Sequence, residues 1–417
     1  MSWAHQSPTG EPHRIAAFDR PRTQPKAGNK PHPAPKSLLA SIPHDRRQET
    51  GDRRQETGDR ETPDSRLPGT KRDFQRPEAD SLGAKRDSCL LTPASCLLSP
   101  KATTRYASPD LIFVFGTICL DRLRRVKSLP APGGYSEVQD EALMLGGEAA
   151  NTANALNKWG AEVSLIGNDL GCGPDADLLR QLITDKGLGK TLFEPSRRDQ
   201  AKPIPTPVCD IYVTPDGERT MFGRGFSTME LDLAVEDLPL QAGHWFTAEP
   251  NMDVLARKTA QRAIDLGMKT YLMDYLREDD PIAPGSFWQS STDWCGFRNN
   301  MQKNVQWVKD LVSRHGCFAV LSDGPNGFVA GSPTMSARAF PPYPAPLVVD
   351  TTGAGDMFRA GMLFGLNQGW EIPQCLQYAA AAGCLKCRSL GATTQVPPRE
   401  EVLAYVAEHD QVSRQYL

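Results

Sequence analysis

Apolar and polar positions divide the chain into two unlike parts. From about residue 111 onward, short apolar runs alternate with longer amphipathic stretches, and before residue 105 neither pattern is sustained. The run at 111–116, Leu-Ile-Phe-Val-Phe-Gly, is continuous and predicts a buried parallel strand, as do 163–167, 245–248, 270–273 and 318–321. Helices are predicted between them at 152–159, 174–186, 255–266 and 301–314, the second opened by Pro174 and stopped by Gly187. This alternation implies a mostly parallel sheet covered on both faces, with a ligand crevice at the carboxyl ends of its strands. Residues 133–145, together with 207–212 and 218–222 around the turn Thr214-Pro215-Asp216-Gly217, leave that rhythm and predict a small separate β element.

Charge and composition sharpen the division. The 417 residues carry a net charge of -3, but residues 1–105 hold 19 Lys and Arg against 13 Asp and Glu. The first hundred residues also hold 13 of the 35 prolines. Too few apolar residues recur there to build a core, so 1–105 reads as a disordered, low-complexity tail and 106–417 as the folded domain. A seven-residue repeat, Asp-Arg-Arg-Gln-Glu-Thr-Gly, runs from Asp45 to Gly51 and again from Asp52 to Gly58. It has no apolar position, which excludes a coiled-coil heptad. A linker, a weak electrostatic binder, and repetitive DNA translated ahead of the true start all remain open for it. Its acids nearly cancel its arginines and no aromatic platform accompanies them, so no nucleic-acid partner is expected.

No apolar run of ~18 residues is present and the first 30 residues lack a signal-peptide core, so no membrane partner is expected. The ten cysteines show no disulfide rhythm, which suits a reducing cytoplasm. Cys384-Leu385-Lys386-Cys387 lies in Ala-rich surroundings without a second pair, and reads as helix packing rather than a zinc site.

The chemistry concentrates at residues 349–361, where an apolar run passes through Asp350, Thr351 and Thr352, then Gly353-Ala354-Gly355-Asp356, into an Ala, Met, Leu and Phe-rich helix. Two glycines let backbone N–H groups approach a ligand where a helix begins, and such an end attracts anions. A carboxylate placed there repels a bound phosphate unless it takes a proton from a hydroxyl attacking that phosphate. The alternative is that Asp356 only favours the helix N-terminus and the glycines make an ordinary turn.

Taken whole, this run resembles the second signature of the ribokinase-like (PfkB) carbohydrate kinase family. Further pieces match in the family's order across nearly all of residues 108–417: Gly116 to Asp121, then Gly146-Gly147-Glu148-Ala149-Ala150-Asn151, then Ile166-Gly167-Asn168-Asp169. The resemblance implies a three-layer α/β/α fold with a small β-sheet lid, its strands at about 129–145 and 207–223. It implies an ATP-dependent kinase that transfers the γ-phosphoryl group to a hydroxyl of a sugar or sugar-like substrate, with ATP and Mg²⁺ as cofactors. Asp356 becomes the general base, and Gly353, Ala354 and Gly355 the anion hole. Asp121, Gly146, Gly147 and Asn151 become substrate-binding residues, with Glu249 a further one. A strand-to-helix turn, a helix cap and an exposed loop acid are the respective alternatives for Gly146-Gly147, Asn151 and Glu249.

Leu321 to Phe328 resembles the family's nucleotide loop, with Ser322, Gly324 and Gly327 at the matching positions. Asp350, Thr352 and Gly391 fall where many members hold a monovalent cation, K⁺, although Asp350 also suits a purely loop-anchoring role. Members often form homodimers by pairing lid strands. One departure stands out: the family's Asn-x-x-Glu has no clear match between Asp274 and Leu321, with Asn299 to Gln302 nearest, and Glu278 or Asp293 as substitutes. That gap leaves a pseudokinase acting as a binding or scaffold module as a rival, and a nucleoside kinase as a rival that differs only in substrate.

Overall fold

Residue-by-residue alternation between two apolar cores sets the architecture. In the first strand, β1 (Ile112–Gly116), Ile112 and Val114 enter one core while Phe113 and Phe115 enter the other. The structure is a computed structural model and describes residues 110–193, 204–231 and 233–417; the predicted tail at 1–105 lies outside them.

After β1 the chain forms β2 (Cys119–Val126), β3 (Val138–Gly146), α1 (Glu148–Lys158), β4 (Val163–Gly167), α2 (Pro174–Asp185) and β5 (Leu192–Phe193). It continues through β6 (Val208–Val213), β7 (Arg219–Arg224), β8 (Trp245–Ala248), α3 (Asp253–Asp265), β9 (Lys269–Met273), β10 (Phe287–Ser291) and α4 (Met301–His315). β11 (Phe318–Ser322), β12 (Phe328–Ser332), β13 (Met335–Phe340), α5 (Ala354–Asn367), α6 (Ile372–Lys386) and α7 (Arg399–Glu408) follow.

Nine strands form one sheet in the order β13-β12-β11-β10-β9-β8-β1-β4-β5, parallel from β11 to β5 and antiparallel at β12 and β13. The split seen in β1 recurs in β11, whose Phe318 and Val320 join the first core and whose Ala319 and Leu321 join the second. Helices α1, α2, α5, α6 and α7 bury apolar side chains in the first core, and α3 and α4 in the second. A strand covered on both faces needs apolar residues on both, which is why these strands are continuous apolar runs.

Strands outside that pattern include β10 and β2. β10 carries buried Gln289 and Ser290, whose polar groups are satisfied by Tyr271 Oη (2.7 Å to Gln289 Oε1) and Asp274 Oδ1 (2.6 Å from Ser290 Oγ). β2 is masked by Arg122, Arg124 and Arg125. Arg122 pairs with Asp175 at 2.6 Å, and Arg124 pairs with Glu141 and Asp210.

β2 belongs to the smaller sheet, ordered β3-β2-β6-β7. Its inner face buries Leu123, Met144, Cys209, Ile211 and Val213, and the register puts Asp121 level with Met144 and Cys209. On the outer face Leu143, Arg122, Asp210 and Phe222 share one row. Among the described residues no helix is long and apolar enough to cross a membrane.

Candidate active site

Helix α5 starts at the carboxyl end of the main sheet, and the residue just before it has no freedom to vary. Gly353 caps it in the left-handed region (φ 77°), and a Cβ there would come within 2.6 Å of Ala392 Cβ. Gly355 differs. A Cβ on it would meet nothing nearer than Gln289 Nε2 at 4.0 Å, so packing does not demand glycine and the space beside the first turn is open. Gln289 instead donates to the Gly355 carbonyl at 3.0 Å, tying β10 to the start of α5.

Asp356 follows in the first turn of α5 and is buried. Its Oδ2 accepts from Asn151 Nδ2 at 2.8 Å, and its Oδ1 lies 3.3 Å from Arg359 Nη2. Burial pushes its carboxyl up to about 7; Arg359 and the Asn151 bond oppose that shift, while Glu148 and Glu249 add to it. Asp274, at φ 61°, is pushed by burial and by Glu148 to about 8. Arg359, with no exposed surface, is the cation in this acidic cluster, bonded to Thr152 Oγ1 at 2.9 Å and the Glu148 carbonyl at 2.6 Å. Asn151 Oδ1, Glu148 Oε2 and Arg359 Nη1 are buried with no hydrogen-bonding partner among the described residues.

The small sheet supplies the opposite wall. Asp121, on β2, is buried, and burial raises it to about 7, with Asp350 pushing the same way and the Cys119 thiol, 3.3 Å from Oδ1, acting against. A Cβ on Gly146 would sit 2.2 Å from the Asp121 carboxylate, so only glycine leaves that carboxylate in place. Gly147 (φ 95°) caps α1, which carries Asn151 one turn on. From β7, Arg219 Nη1 donates to Thr351 Oγ1 at 2.7 Å and joins this sheet to the loop before α5.

Glu249 is placed differently from an exposed loop acid. It has no exposed surface, and its two oxygens accept from the backbone amides of Thr117 and, at 2.6 Å, of Asn251. Burial and Glu148 raise its carboxyl, and those two amides work against them. Its carboxylate is therefore committed to shaping the β1–β2 loop.

At the other end of the crevice, Ser322 closes β11 with its Oγ 3.3 Å from the Ser290 carbonyl. Gly324 (φ 53°) has open space around it, whereas a Cβ on Gly327 would strike the Phe340 carbonyl at 2.1 Å. Asp323, between Ser322 and Gly324, is buried and knits three segments: it accepts from Thr292 Oγ1 (2.6 Å), Asn299 N (2.9 Å) and Asn326 Nδ2 (3.1 Å). Asp293 lies just past β10, exposed and paired with Arg298, and Glu278 is exposed beyond β9. Among the described residues no group of three or more His, Cys, Asp or Glu is placed to hold a metal ion.

Asp350 has no exposed surface. Its Oδ1 accepts from Thr352 N (2.9 Å) and Thr352 Oγ1 (2.6 Å), its Oδ2 from Gly391 N (2.7 Å), and its carbonyl from Lys386 Nζ (2.9 Å). Thr352 and Gly391 thus meet Asp350 directly.

Known proteins bear on this arrangement. A profile of the pfkB family of carbohydrate kinases matches residues 288–399. An uncharacterized sugar kinase of Dictyostelium discoideum is 32% identical over 339 residues, which is 69% of this chain and 94% of that one. The chain belongs to the pfkB family of carbohydrate kinases. A ribokinase of Arabidopsis thaliana is 25% identical over 327 residues, 73% of this chain and 83% of that protein. Among solved structures, a putative ribokinase from Agrobacterium tumefaciens superposes with a TM-score of 0.58 at 20% identity, covering 72% of this chain and 99% of the other. The Arabidopsis thaliana ribokinase complexed with ribose and ATP gives 0.56 at 19%, with the same two coverages. The fold of this kinase is ribokinase-like, with three α/β/α layers and a small β-sheet lid.

Several groups that organise the kinase's crevice escape a reading of its motifs. Arg359 and Lys386 are the lone cations of helices whose buried faces are mostly apolar, and a buried cation must find partners. That was the available signal for both. Asp274, Gln289 and Asp323 carry no such mark, because acids and amides at strand ends are common.

Proposed function

We propose that this kinase transfers the γ-phosphoryl group of Mg²⁺·ATP to a hydroxyl of a sugar or sugar-like molecule. The observation that carries the reading is Asp356: a carboxyl brought to about 7 at the open first turn of α5, held by Asn151 and flanked by Gly353 and Gly355. A base is most effective when its pKa lies near the working pH. Asp356 takes the proton of the acceptor hydroxyl as that oxygen bonds to the γ-phosphorus; the bond from phosphorus to the β–γ bridging oxygen breaks, and ADP leaves with the electron pair. The N–H groups at Gly353, Ala354 and Gly355 stabilise the charge on the transferring group.

Asp121 and Asn151 accept hydrogen bonds from acceptor hydroxyls, the latter through its unpartnered Oδ1, with Gly146 and Gly147 giving room for close approach. Glu249 acts by holding the loop that presents Asp121. Ser322, Gly324 and Gly327 line the nucleotide end. Mg²⁺ would enter with ATP as part of the substrate and neutralise its phosphates, with the exposed carboxylates of Asp293 or Glu278 for its water shell. The small sheet closes over the acceptor and excludes water. Its outer row, with Leu143 and Phe222 exposed, suits a second copy of the chain.

The test is ADP release over a panel of sugars and nucleosides, with Asp356→Asn as control. Transfer to a sugar that the variant loses supports the reading, and transfer to nucleosides alone moves the substrate class. A wild type that binds ATP but releases no ADP with any acceptor favours a scaffold role, for which the missing Asn-x-x-Glu is the observation.

A further inference from the structure

Beneath the first turn of α5 lies a buried ammonium group that the transfer step does not use. Lys386, the last residue of α6, has no exposed surface, and its Nζ donates to the main-chain carbonyls of Asp350 at 2.9 Å and Ser389 at 3.4 Å. The next carbonyl, that of Cys387, accepts from both Val349 N (2.8 Å) and Asp350 N (3.2 Å). The end of α6 and the loop leading into α5 are therefore stitched together, with Lys386 at the seam.

The surroundings of that ammonium are oxygen-rich and negative: two carbonyls, the carbonyl end of a helix, and the buried Asp350 carboxylate. Such a locus requires a positive charge. Burial pushes the Lys386 ammonium down and Asp350 counters it; Asp350, itself pushed up by burial, is carried below its ordinary value by Lys386, Thr352 and Gly391.

A dehydrated monovalent metal ion is another way to supply that charge, and Asp350, Thr352 and Gly391 are the residues that the family resemblance offers for one. The charge already present does not fit it. Both Asp350 carboxylate oxygens already accept from N–H or O–H groups of Thr352 and Gly391, and the Asp350 carbonyl already accepts from Lys386. A potassium ion held by Asp350 would stand beside the ammonium already bonded to that residue's carbonyl, two cations at one buried residue.

We propose that Lys386 is this kinase's built-in monovalent cation, a positioning residue that fixes the loop from Asp350 to Gly355 and makes added potassium unnecessary. The ammonium acts through Asp350: it holds the Asp350 carbonyl while the Asp350 side chain holds Thr352 N and Gly391 N, and these set the approach to Gly353. The kinetic consequence rests on the phosphoryl-transfer reading, and the binding consequence does not.

The experiment uses the full chain in chloride buffers of tetramethylammonium, sodium or potassium at equal ionic strength, with wild type, Lys386→Met and Lys386→Arg. Thermal unfolding with and without ADP is read first, since it needs no acceptor. Wild-type melting temperatures should agree across the three cations to within about 1 °C, whereas Lys386→Met should be raised selectively by potassium, ammonium or methylammonium. With an acceptor in hand, wild-type turnover should vary less than about twofold among the cations. Lys386→Met should fall at least about tenfold in tetramethylammonium, in kcat rather than in the acceptor KM, and regain several-fold with potassium or methylammonium. Lys386→Arg, which keeps the charge, should stay cation-independent. Wild type stabilised or activated by potassium overturns the proposal, as does a folded Lys386→Met that no small cation restores or that behaves as wild type. Should Lys386→Met not fold, the wild-type and Lys386→Arg comparisons decide. Loss of all transfer activity with the cation pattern of melting intact would sink the function and leave this inference standing.

Discussion

Asn151 and Asp356, 205 residues apart in sequence, share a hydrogen bond of 2.8 Å between Nδ2 and Oδ2. The contact joins the first turn of α5 to α1 and aims one side chain from each at the same crevice. Replacing Asp356 by Asn keeps the shape and removes the base. Turnover should drop by about 10²–10⁴-fold in an ADP-release assay, while ADP still raises the melting temperature.

Asp356 must be ionised to take a proton, and its carboxyl stands at about 7. Turnover at saturating substrate should therefore climb about tenfold per pH unit below that value and level off above it. A pH–rate profile already flat from pH 5 upward would contradict the assignment.

Stability should run the opposite way. Asp121 and Asp356 at about 7, and Asp274 at about 8, are all raised from 3.8, so between those values the folded chain binds protons that the unfolded chain has released. Their contribution is complete below about pH 4 and is lost as pH rises through 7–8. Asp274→Asn keeps an acceptor for Ser290 Oγ and tolerates the left-handed backbone. Its stability relative to wild type should improve from pH 4 to pH 8 by at least about 1 kcal/mol, measured by urea unfolding.

Gly355 and Gly146 separate packing from function. Gly355→Ala meets no protein atom nearer than 4.0 Å, so stability should hold or rise by about 0.5–1 kcal/mol while turnover falls, because the methyl fills the space left for the phosphoryl group. Gly146→Ala drives a Cβ into the Asp121 carboxylate. It should destabilise by about 1–3 kcal/mol and raise the acceptor KM more than the ATP KM.

Arg359 shows where the sequence was legible and where it was not. The loop at 349–361 announces itself because glycine, hydroxyl and acid follow one another at a strand-to-helix junction, and Gly353 adopts the left-handed geometry that such a turn requires. Strands β1, β4, β8, β9 and β11 were equally plain, since burial on two faces leaves continuous apolar runs. β10 and β2 were not, because Gln289, Ser290 and the arginines of β2 find their partners on distant segments, which local pattern cannot display. Arg359 belongs with these: its partners Thr152 and Glu148 lie on another helix. Arg359→Met should cost about 3–5 kcal/mol by chemical unfolding, as removal of one partner from a buried charged cluster does.

The crevice is assembled from two parts. Asp121 comes from the small sheet, whereas Asp356 and Lys386 belong to helices buried against the main sheet. Met144 and Leu145 meet Thr394 and Thr393 and would stay, whereas hairpin residues away from that contact can be exchanged with little disturbance to α5 and α6. A designer seeking a new acceptor would begin by rewriting β2, β3 and their connecting turn, and leave the α5–α6 pair alone.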